Sequence, residues 1–212
     1  MGLKIFYPIR FYPVLDTEAA WRKGPGPTAA AAAILEAGAR ILQFRHKGFV
    51  SREVFEEAQE VAGLCRQAGA VFVMNDRADI ARLLRAALHV GQEDLSPTDA
   101  RLVVGVEAIV GLSTHNEAQL RAAAAEPADY LAIGPIFGTA TKLNADPVVG
   151  VEELRRLRPL TQRPLVAIGG ITRANASAVL DAGADAVAVV GDLFPEDGNI
   201  RARAEEWVRI CG

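Results

Sequence analysis

The stretch PLVAIGGITRANASAVLDAGADAVAVVGDL, residues 164–193, contains the unit that decides the fold. An apolar run ends in two glycines, an Ala-rich amphipathic segment follows and closes at Gly183, and a second apolar run completes the unit. A glycine at such a position suits the left-handed residue that commonly ends a helix. A strand, a helix and a second strand in this order predict two parallel strands joined by a crossover helix.

The same unit recurs along the chain. Eight apolar runs that end in polar or glycine residues begin at positions 11, 41, 71, 87, 108, 130, 164 and 186. The interval between the runs at 71 and 87 leaves room for only about two helical turns, and no linker or composition shift marks a domain boundary. The pattern predicts an α/β protein whose residues 1–212 form one (β/α)8 TIM barrel, with a doubly wound open sheet as the alternative.

The composition argues against several classes of protein. The formal net charge is −3 and no polybasic patch is visible, whereas nucleic-acid-binding proteins usually carry a concentrated basic face. Cys65 and Cys211 show no metal-ligand spacing and are expected to be reduced. No secretory signal is visible, and the apolar runs are too short to span a membrane. We expect a cytoplasmic protein that binds small molecules, with no nucleic-acid or membrane partner; whether it forms a homo-oligomer stays open.

The second apolar run carries three long polar side chains on one face. Gln43, Arg45 and Lys47 alternate with Leu42 and Phe44, so the two sets point to opposite sides of the strand. Burying three such groups is costly unless a polar ligand or an ion meets them. In a barrel, catalytic groups gather at the carboxyl ends of the strands, which predicts a ligand site here; an internal salt-bridge network is the alternative.

Two carboxylates follow the next two strands. Asp76 ends the third run and Asp94 ends the fourth, and both are expected near Lys47. Magnesium takes one or two carboxylates and completes its shell with waters and substrate phosphates, so the pair predicts a Mg2+ site. The alternative is that each carboxylate caps the following helix, although Ser96 and Asp79 are better placed for that role.

The fifth run ends in GLSTH, residues 111–115, which does not match the pattern of a nucleophilic serine. Ser113 is therefore interpreted as a hydrogen-bonding contact. His89, inside the fourth strand, is interpreted as a core histidine whose hydrogen bonds are satisfied.

Glycine-rich strand ends predict a phosphate site. The seventh strand ends at Gly169 and Gly170 and the eighth at Val190 and Gly191, where many barrels bind phosphate through backbone N–H groups. The stretch GPIFGTATK, residues 134–142, adds two hydroxyls and a lysine at the end of the sixth strand.

With these residues in place, the chain resembles the thiamine-phosphate synthase family over nearly its whole length from the second strand onward. Seven segments carry the resemblance: QFRHK (43–47), MNDRAD (74–79), HVGQEDL (89–95), GLSTH (111–115), GPIFGTATK (134–142), DPVVGVEEL (146–154) and IGGIT (168–172). The resemblance implies a transferase in which an aminopyrimidine methyl diphosphate loses diphosphate with the assistance of Mg2+. The nitrogen of a thiazole phosphate then captures the resulting carbocation, without a protein nucleophile.

The resemblance also implies roles for individual residues. The residues implied to contact the pyrimidine diphosphate are Gln43, Arg45, Lys47, Asn75, Ser113 and Lys142. Of these, Lys142, Lys47 and Ser113 are implied to be catalytic. The residues implied to hold the thiazole phosphate are Thr139, Thr141, Gly170, Val190 and Gly191, and Asp76 and Asp94 are implied to hold Mg2+.

Two departures from the family pattern limit these implications. Family members commonly have a small pair such as Ser-Ala after the eighth strand, whereas this chain has Gly191 and Asp192. A carboxylate beside a phosphate would be repelled, so Asp192 is expected to face away or to cap a helical turn, or else the thiazole-side ligand differs. His46 replaces a usual carboxylate and, because it points away from the Gln43 face, is expected to have a modest effect.

Other functions remain as alternatives. A thiazole tautomerase, which is an isomerase, has no diphosphate to stabilise and so has no evident use for Lys47, Asp76, Asp94 and Lys142 together. A non-catalytic barrel that binds a phosphorylated metabolite is the second alternative, because fold alone does not give function. A sugar-phosphate isomerase of histidine or tryptophan synthesis would share the glycine loops but leaves the two carboxylates without a clear role.

Overall fold

The computed structural model describes residues 9–138 and 146–212. In this part of the chain, eight parallel strands close into a barrel in which each strand pairs with the next and β8 pairs with β1. The predicted TIM barrel is confirmed, and the open sheet is excluded. The strands are β1 (Phe11–Asp16), β2 (Ile41–Arg45), β3 (Val71–Asn75), β4 (Ala87–Val90), β5 (Val110–Thr114), β6 (Tyr130–Ile133), β7 (Leu165–Ile168) and β8 (Ala186–Val189).

Helices connect the strands around the outside of the barrel. They are α1 (Thr17–Lys23), α2 (Pro27–Glu36), α3 (Arg52–Gln67), α4 (Ala78–Leu84), α5 (Pro97–Val104), α6 (Glu117–Ala122), α7 (Val151–Leu157), α8 (Ala176–Asp181) and α9 (Ile200–Cys211). Local sequence sets several of their starts: the Ser51 side chain accepts from Val54 N–H, and Ser96 accepts from Asp99 N–H. Within the two described ranges, no helix combines the length and apolar character that a membrane crossing requires.

The core has an inner and an outer layer, as strand alternation predicts. Leu42 and Phe44 of β2 point outward into the layer between the sheet and the helices, whereas Ile41 lies in the cluster inside the barrel. That inner cluster also contains two aromatic residues, Tyr12 and Tyr130, both almost fully buried. Their hydroxyls bring polar atoms into the barrel centre, where they need hydrogen-bond partners.

A repeated contact closes the amino-terminal rim, the end of the barrel where the strands begin. Asp129 Oδ2 accepts from the N–H of Val110 (2.7 Å) and from Arg101 Nη2 (2.7 Å). One pair of strands further on, Asp185 Oδ2 accepts from the N–H of Leu165 (2.8 Å) and from Arg158 Nη2 (3.1 Å). In both places the residue before an even-numbered strand binds the first N–H of the preceding strand, so each carboxylate serves the fold.

Candidate active site

The polar face of β2 lies at the carboxyl-terminal rim, as predicted. Gln43 is buried, and its Nε2 donates to Tyr12 Oη at 2.9 Å. Arg45 forms an ion pair with Asp16, the last residue of β1. Lys47 Nζ donates to Asp76 Oδ2 at 2.6 Å, which links β2 to β3. Some of the salt bridges of the alternative interpretation therefore exist, and they lie at the end where a substrate would bind.

The two predicted metal-binding carboxylates come together. Asp94 lies close enough to Asp76 for the two carboxyl groups to interact, and Asp94 Oδ2 accepts from Gly91 N–H at 2.8 Å. Partial burial raises the pKa of Asp94 above its ordinary value; the Gly91 N–H opposes this shift, and the hydrogen bond and charge of Asp76 reinforce it. Two acidic groups held in this way favour the binding of a cation.

The backbone at Asp76 is itself unusual. Its φ of 62° lies in the left-handed region, which costs a non-glycine residue roughly 1 kcal/mol and which Asp tolerates better than most. The Asp76 N–H donates to the carbonyl of His89 at 2.8 Å, which holds this conformation against β4. Neither Asp76 nor Asp94 caps a helix, because Arg77 occupies the N-cap position of α4 without a side-chain cap and Ser96 caps α5.

This donor set fits Mg2+. Among the described residues, no group of three or more His, Cys, Asp or Glu side chains converges, so a site that took all its ligands from protein is not built there. Mg2+ needs only one or two carboxylates when substrate phosphates and waters complete its shell. Asp76 and Asp94 supply that number of hard oxygen donors beside Lys47, a further positive charge for phosphate.

Asn75 carries a buried donor without a partner. The residue is 6% exposed, and its Nδ2 has no hydrogen-bond partner among the described residues. A buried N–H group left unpaired costs about 1–3 kcal/mol, so such groups are rare unless a ligand satisfies them. Asn75 is the last residue of β3 and directly precedes Asp76, so this donor is at the same rim as the carboxylates.

A chain of buried hydrogen bonds runs beneath the rim. It continues from Gln43 and Tyr12 to Tyr130 Oη (2.9 Å), from Tyr130 to His89 Nδ1 (2.9 Å), and from His89 Nε2 to Ser113 Oγ (2.9 Å). Burial lowers the pKa of His89 to about 4, so its imidazole is neutral at physiological pH. A neutral imidazole accepts a hydrogen bond at one nitrogen and donates one at the other. His89 can therefore accept from one of its two partners, Tyr130 or Ser113, and donate to the other.

The interpretation of His89 as a satisfied core histidine is correct as far as its hydrogen bonds go. Its ring nitrogens both have partners, and the ring also stacks on Tyr130 at a centroid distance of 5.5 Å. The sequence did not reveal that one of these partners is Ser113, a predicted substrate contact. His89 thus joins two predicted contact residues, Gln43 and Ser113, through the barrel interior.

The loops after β6 and β7 pack directly on each other. Ile136 N–H donates to the carbonyl of Ile168 (2.9 Å), and Phe137 N–H donates to that of Gly169 (3.0 Å). Gly170 has a φ of 62°, and a Cβ there would lie 2.5 Å from the carbonyl oxygen of Gly138. Glycine is thus required at 170 for both backbone conformation and space. Thr139, Thr141 and Lys142 lie outside the described residues.

The loop after β8 resolves the question of Asp192. Its carboxylate is turned toward α9 and the loop after β7, where it accepts from Trp207 Nε1 (2.9 Å), Arg173 Nε (3.1 Å) and Arg203 Nη1 (3.2 Å). The expectation that Asp192 would point away from a phosphate agrees with these contacts. Gly191, directly before it, is exposed at the rim.

The chain is similar to known proteins over almost its whole length. A family model described as thiamine monophosphate synthase matches residues 11–193. A thiamine-phosphate synthase of Koribacter versatilis is 46% identical over 215 residues, covering 99% of this chain and 97% of the relative. The chain belongs to the thiamine-phosphate synthase family. Membership in this family makes it an enzyme of thiamine biosynthesis, a transferase that releases diphosphate.

Two further comparisons agree with this family. A thiamine-phosphate synthase of Chloroflexus aurantiacus is 40% identical over 198 residues, covering 93% of this chain and 90% of the relative. A solved structure of thiamine phosphate pyrophosphorylase from Pyrococcus furiosus superposes with a TM-score of 0.86 at 29% identity and covers 98% of both chains. The family resemblance and the TIM barrel predicted from the sequence are therefore confirmed.

Some residues of this thiamine-phosphate synthase site were not identified from the sequence. Tyr12 and Tyr130 looked like ordinary members of apolar runs, yet their hydroxyls connect the two sides of the barrel. Asp16 was not considered, although it pairs with Arg45 and its side chain caps α1 through Ala19 N–H (2.9 Å). A polar atom in a residue expected inside the barrel was the one available signal, because such an atom needs a partner.

Proposed function

We propose that this chain joins an aminopyrimidine methyl diphosphate to a thiazole phosphate, giving thiamine phosphate and inorganic diphosphate. One observation carries the proposal: Lys47, Asp76 and Asp94 form a continuous chain of contacts beside the unpaired buried amide of Asn75. This arrangement brings together a cation, a hydrogen-bond donor and two carboxylates. A departing diphosphate needs both charge neutralisation and donors, whereas an isomerisation releases no such anion.

The leaving group would bind at the carboxyl ends of β2, β3 and β4. Lys47 and Asn75 donate to its phosphate oxygens, and Arg45, whose charge Asp16 partly offsets, adds to the positive field. Asp76 and Asp94 would hold Mg2+, which when bound supplies positive charge to the phosphate oxygens as the C–O bond breaks. The family resemblance assigns Lys142 to the same leaving group, and we retain that role in the proposal.

The aminopyrimidine would lie over the buried hydrogen-bond chain. Gln43 donates one N–H of its amide to Tyr12, which leaves its carbonyl oxygen and its second N–H for a ligand. Ser113, held by His89, offers its hydroxyl on the other side of the same opening. An aminopyrimidine carries both N–H donors and ring-nitrogen acceptors, so it matches this pair of groups.

The thiazole phosphate would bind on the opposite side of the opening. Gly170, Val190 and Gly191 offer backbone N–H groups, and the resemblance assigns Thr139 and Thr141 to the same ligand. With both substrates fixed, the ring nitrogen of the thiazole is aligned with the pyrimidine methylene carbon as its bond to diphosphate breaks. Fixed alignment and charge stabilisation replace a protein nucleophile.

The test is to mix the purified protein with the aminopyrimidine diphosphate, the thiazole phosphate and Mg2+ and to measure thiamine phosphate by mass spectrometry. We expect product and diphosphate in equal amounts, and loss of both when EDTA is added. Conversion of a thiazole carboxylate tautomer without thiamine phosphate would establish the tautomerase instead. Binding of either substrate without turnover would establish a non-catalytic barrel.

A matched pair of variants links the assay to the site. Asn75→Ala removes the buried unpaired amide, and we expect at least about tenfold lower kcat/KM, since a hydrogen bond to a charged group contributes 1.5–3 kcal/mol. Asn116→Ala removes an amide that caps α6 through Gln119 N–H (2.9 Å) and that is not one of the proposed substrate contacts. It should lower the melting temperature and leave kcat/KM unchanged.

A further inference from the structure

Asp192 collects hydrogen bonds from two separate elements of the carboxyl-terminal rim. From α9 it receives the Trp207 indole N–H and Arg203, whose Nη1 also donates to the Asp192 carbonyl at 2.8 Å. From the loop after β7 it receives Arg173 Nε. The side chain of Asp192 is only 16% exposed, so these contacts are shielded from water and are stronger than a surface ion pair.

The cluster around Asp192 is charge-balanced. Arg173 pairs with both Asp192 and Glu206, and Arg203 Nε lies 3.9 Å from Glu206 Oε2. The charges of the two arginines and the two carboxylates thus balance. Asp192 therefore does not place an unpaired negative charge next to its own turn. The Trp207 ring that donates to it is fully buried and stacks on Phe11 of β1, which anchors the cluster to the barrel wall.

The position of Asp192 relates this cluster to the phosphate loops. Asp192 lies in the three-residue turn Gly191–Leu193, directly after two of the residues proposed to bind the thiazole phosphate. Its partner Arg173 lies three residues after Gly170 in the loop that carries the other phosphate-binding backbone. The loop is also held from within, because Asn175 Nδ2 donates to the Gly170 carbonyl at 3.1 Å. Asp192 is therefore a single carboxylate that joins the two loops.

We propose that Asp192 is a positioning residue for the phosphate end of the thiazole substrate, setting the distance between the Gly170 loop and the Val190–Gly191 turn. This inference rests on the proposed function. Asp192 does not touch the phosphate; it acts through the backbone of its own turn and through Arg173. The contacts of Asp192 with Arg173, Arg203 and Trp207 explain how this chain tolerates a carboxylate where family members commonly have a small residue.

Two interpretations of Asp192 predict opposite changes in the KM for the thiazole phosphate. If Asp192 were only a negative charge near the phosphate, Asp192→Asn would remove repulsion, lower the KM for the thiazole phosphate, and do so most at low salt. If it positions the loops, Asp192→Asn removes the charge and replaces one acceptor oxygen with an N–H donor, which faces Arg203 at the Oδ1 position or both Arg173 and Trp207 at the Oδ2 position. The two loops then lose their fixed spacing, and the KM for the thiazole phosphate rises.

Asp185→Asn provides the matched control. Asp185 joins the same two strands, β7 and β8, at the amino-terminal rim, where it accepts from Leu165 N–H and Arg158. For Asp192→Asn we expect the KM of the thiazole phosphate to rise about tenfold, with kcat and the KM of the pyrimidine diphosphate within about twofold of the parent. Asp185→Asn should lower the melting temperature by a few degrees and leave both KM values unchanged.

A second measurement separates this inference from the proposed function. Isothermal titration of the thiazole phosphate into each protein measures its binding without turnover, so the effect of Asp192→Asn can be read even if the parent makes no thiamine phosphate. Arg173→Lys keeps the charge but loses the planar fork that reaches Asp192 and Glu206 together, and should weaken binding in the same direction by less. Unchanged or tighter binding in folded Asp192→Asn, or equal loss in Asp185→Asn, would overturn the positioning role.

Discussion

The two rims of the barrel use the same residue type in opposite ways. At the amino-terminal rim, Asp129 and Asp185 each receive a backbone N–H and an arginine, so every charge has a partner within the protein. At the carboxyl-terminal rim, Asp76 and Asp94 lie close together beside Lys47, and the Nδ2 of Asn75 has no partner among the described residues. The first pair is satisfied by folding, and we propose that the second pair is completed by a ligand.

The difference has an energetic consequence. A carboxylate with full internal partners stabilises the folded state, because removing it leaves buried donors unpaired. The pKa of Asp94 is raised, so ionising this carboxyl group costs more in the folded protein than in the unfolded chain, and its ionised form lowers stability. In the proposed function, the carboxyl-terminal rim therefore holds groups that weaken the fold without ligands and that would gain partners when cationic and phosphate ligands bind.

Asp94→Asn should have the largest effect on activity. Loss of one of the two carboxylates proposed to hold Mg2+ is expected to lower kcat/KM at least about a hundredfold, equivalent to roughly 3 kcal/mol of transition-state stabilisation. It should also raise the Mg2+ concentration needed for half-maximal rate. Its melting temperature should equal or exceed that of the parent, because the repulsion with Asp76 is removed.

Asp129→Asn is the counterpart from the other rim. It replaces the acceptor of Val110 N–H and Arg101 and should cost about 1–3 kcal/mol of unfolding free energy, measured by urea denaturation. Below its melting temperature, kcat/KM and the Mg2+ requirement should match the parent. The contrast between the rims breaks down if Asp94→Asn is the less stable variant or if Asp129→Asn needs more Mg2+.

Gly170→Ala should have the next largest effect. The new methyl group would meet the Gly138 carbonyl at 2.5 Å and the Phe137 Cβ at 2.7 Å, so the loops after β6 and β7 must separate. We expect the KM for the thiazole phosphate to rise about tenfold while that for the pyrimidine diphosphate changes little. Steady-state kinetics with each substrate varied in turn measures the difference.

Gly69→Ala measures the cost of a left-handed backbone conformation separately from the steric clash expected in Gly170→Ala. Gly69, before β3 at the amino-terminal rim, has a φ of 65°, close to the 62° of Gly170, but a Cβ there meets nothing within 4 Å. It carries the same conformational strain, roughly 1 kcal/mol, without the collision. Equal changes in thiazole phosphate KM for the two variants would show that strain alone, rather than the closeness of the two loops, governs binding.

Strand ends could be predicted from the sequence because order and alternation determine them. Eight apolar runs in a parallel barrel must all end at one rim, which is why the sequence predicts polar residues such as Asp76 and Ser113 there. Family motifs then added roles that physical chemistry alone left open, such as the separation of pyrimidine and thiazole contacts.

Contacts between distant residues could not be predicted in the same way. Tyr12 and Tyr130 are 118 positions apart, and nothing in either apolar run indicates that their hydroxyls meet. The partners of Asp192 were equally hidden, since nothing in the sequence indicates that the indole N–H of Trp207, 15 positions away, meets this carboxylate. A weak signal did exist at the amino-terminal rim, where Ala-Asp precedes both β6 and β8, but its meaning depends on the register of the neighbouring strands.

Tyr130→Phe should have the smallest effect. This variant tests whether residues below the carboxyl-terminal rim contribute to substrate binding. The variant removes one oxygen from the middle of the chain between Gln43 and Ser113 and keeps the ring that packs on His89. Since neither end residue is touched, we expect a three- to fivefold rise in the KM for the pyrimidine diphosphate, about 1 kcal/mol, and no change for the thiazole phosphate.

Thr114→Val serves as the comparison, because Thr114 is the buried neighbour of Ser113 and its hydroxyl donates to the Ala132 carbonyl at 2.8 Å, outside the chain. Both variants delete one buried hydroxyl, so both should lower the melting temperature. Only Tyr130→Phe should change a substrate KM, because only its oxygen connects the residues that face the pyrimidine. If the two variants change stability alike and neither changes KM, the interior chain belongs with the amino-terminal rim as part of the fold, and the functional region ends at Ser113 and Gln43.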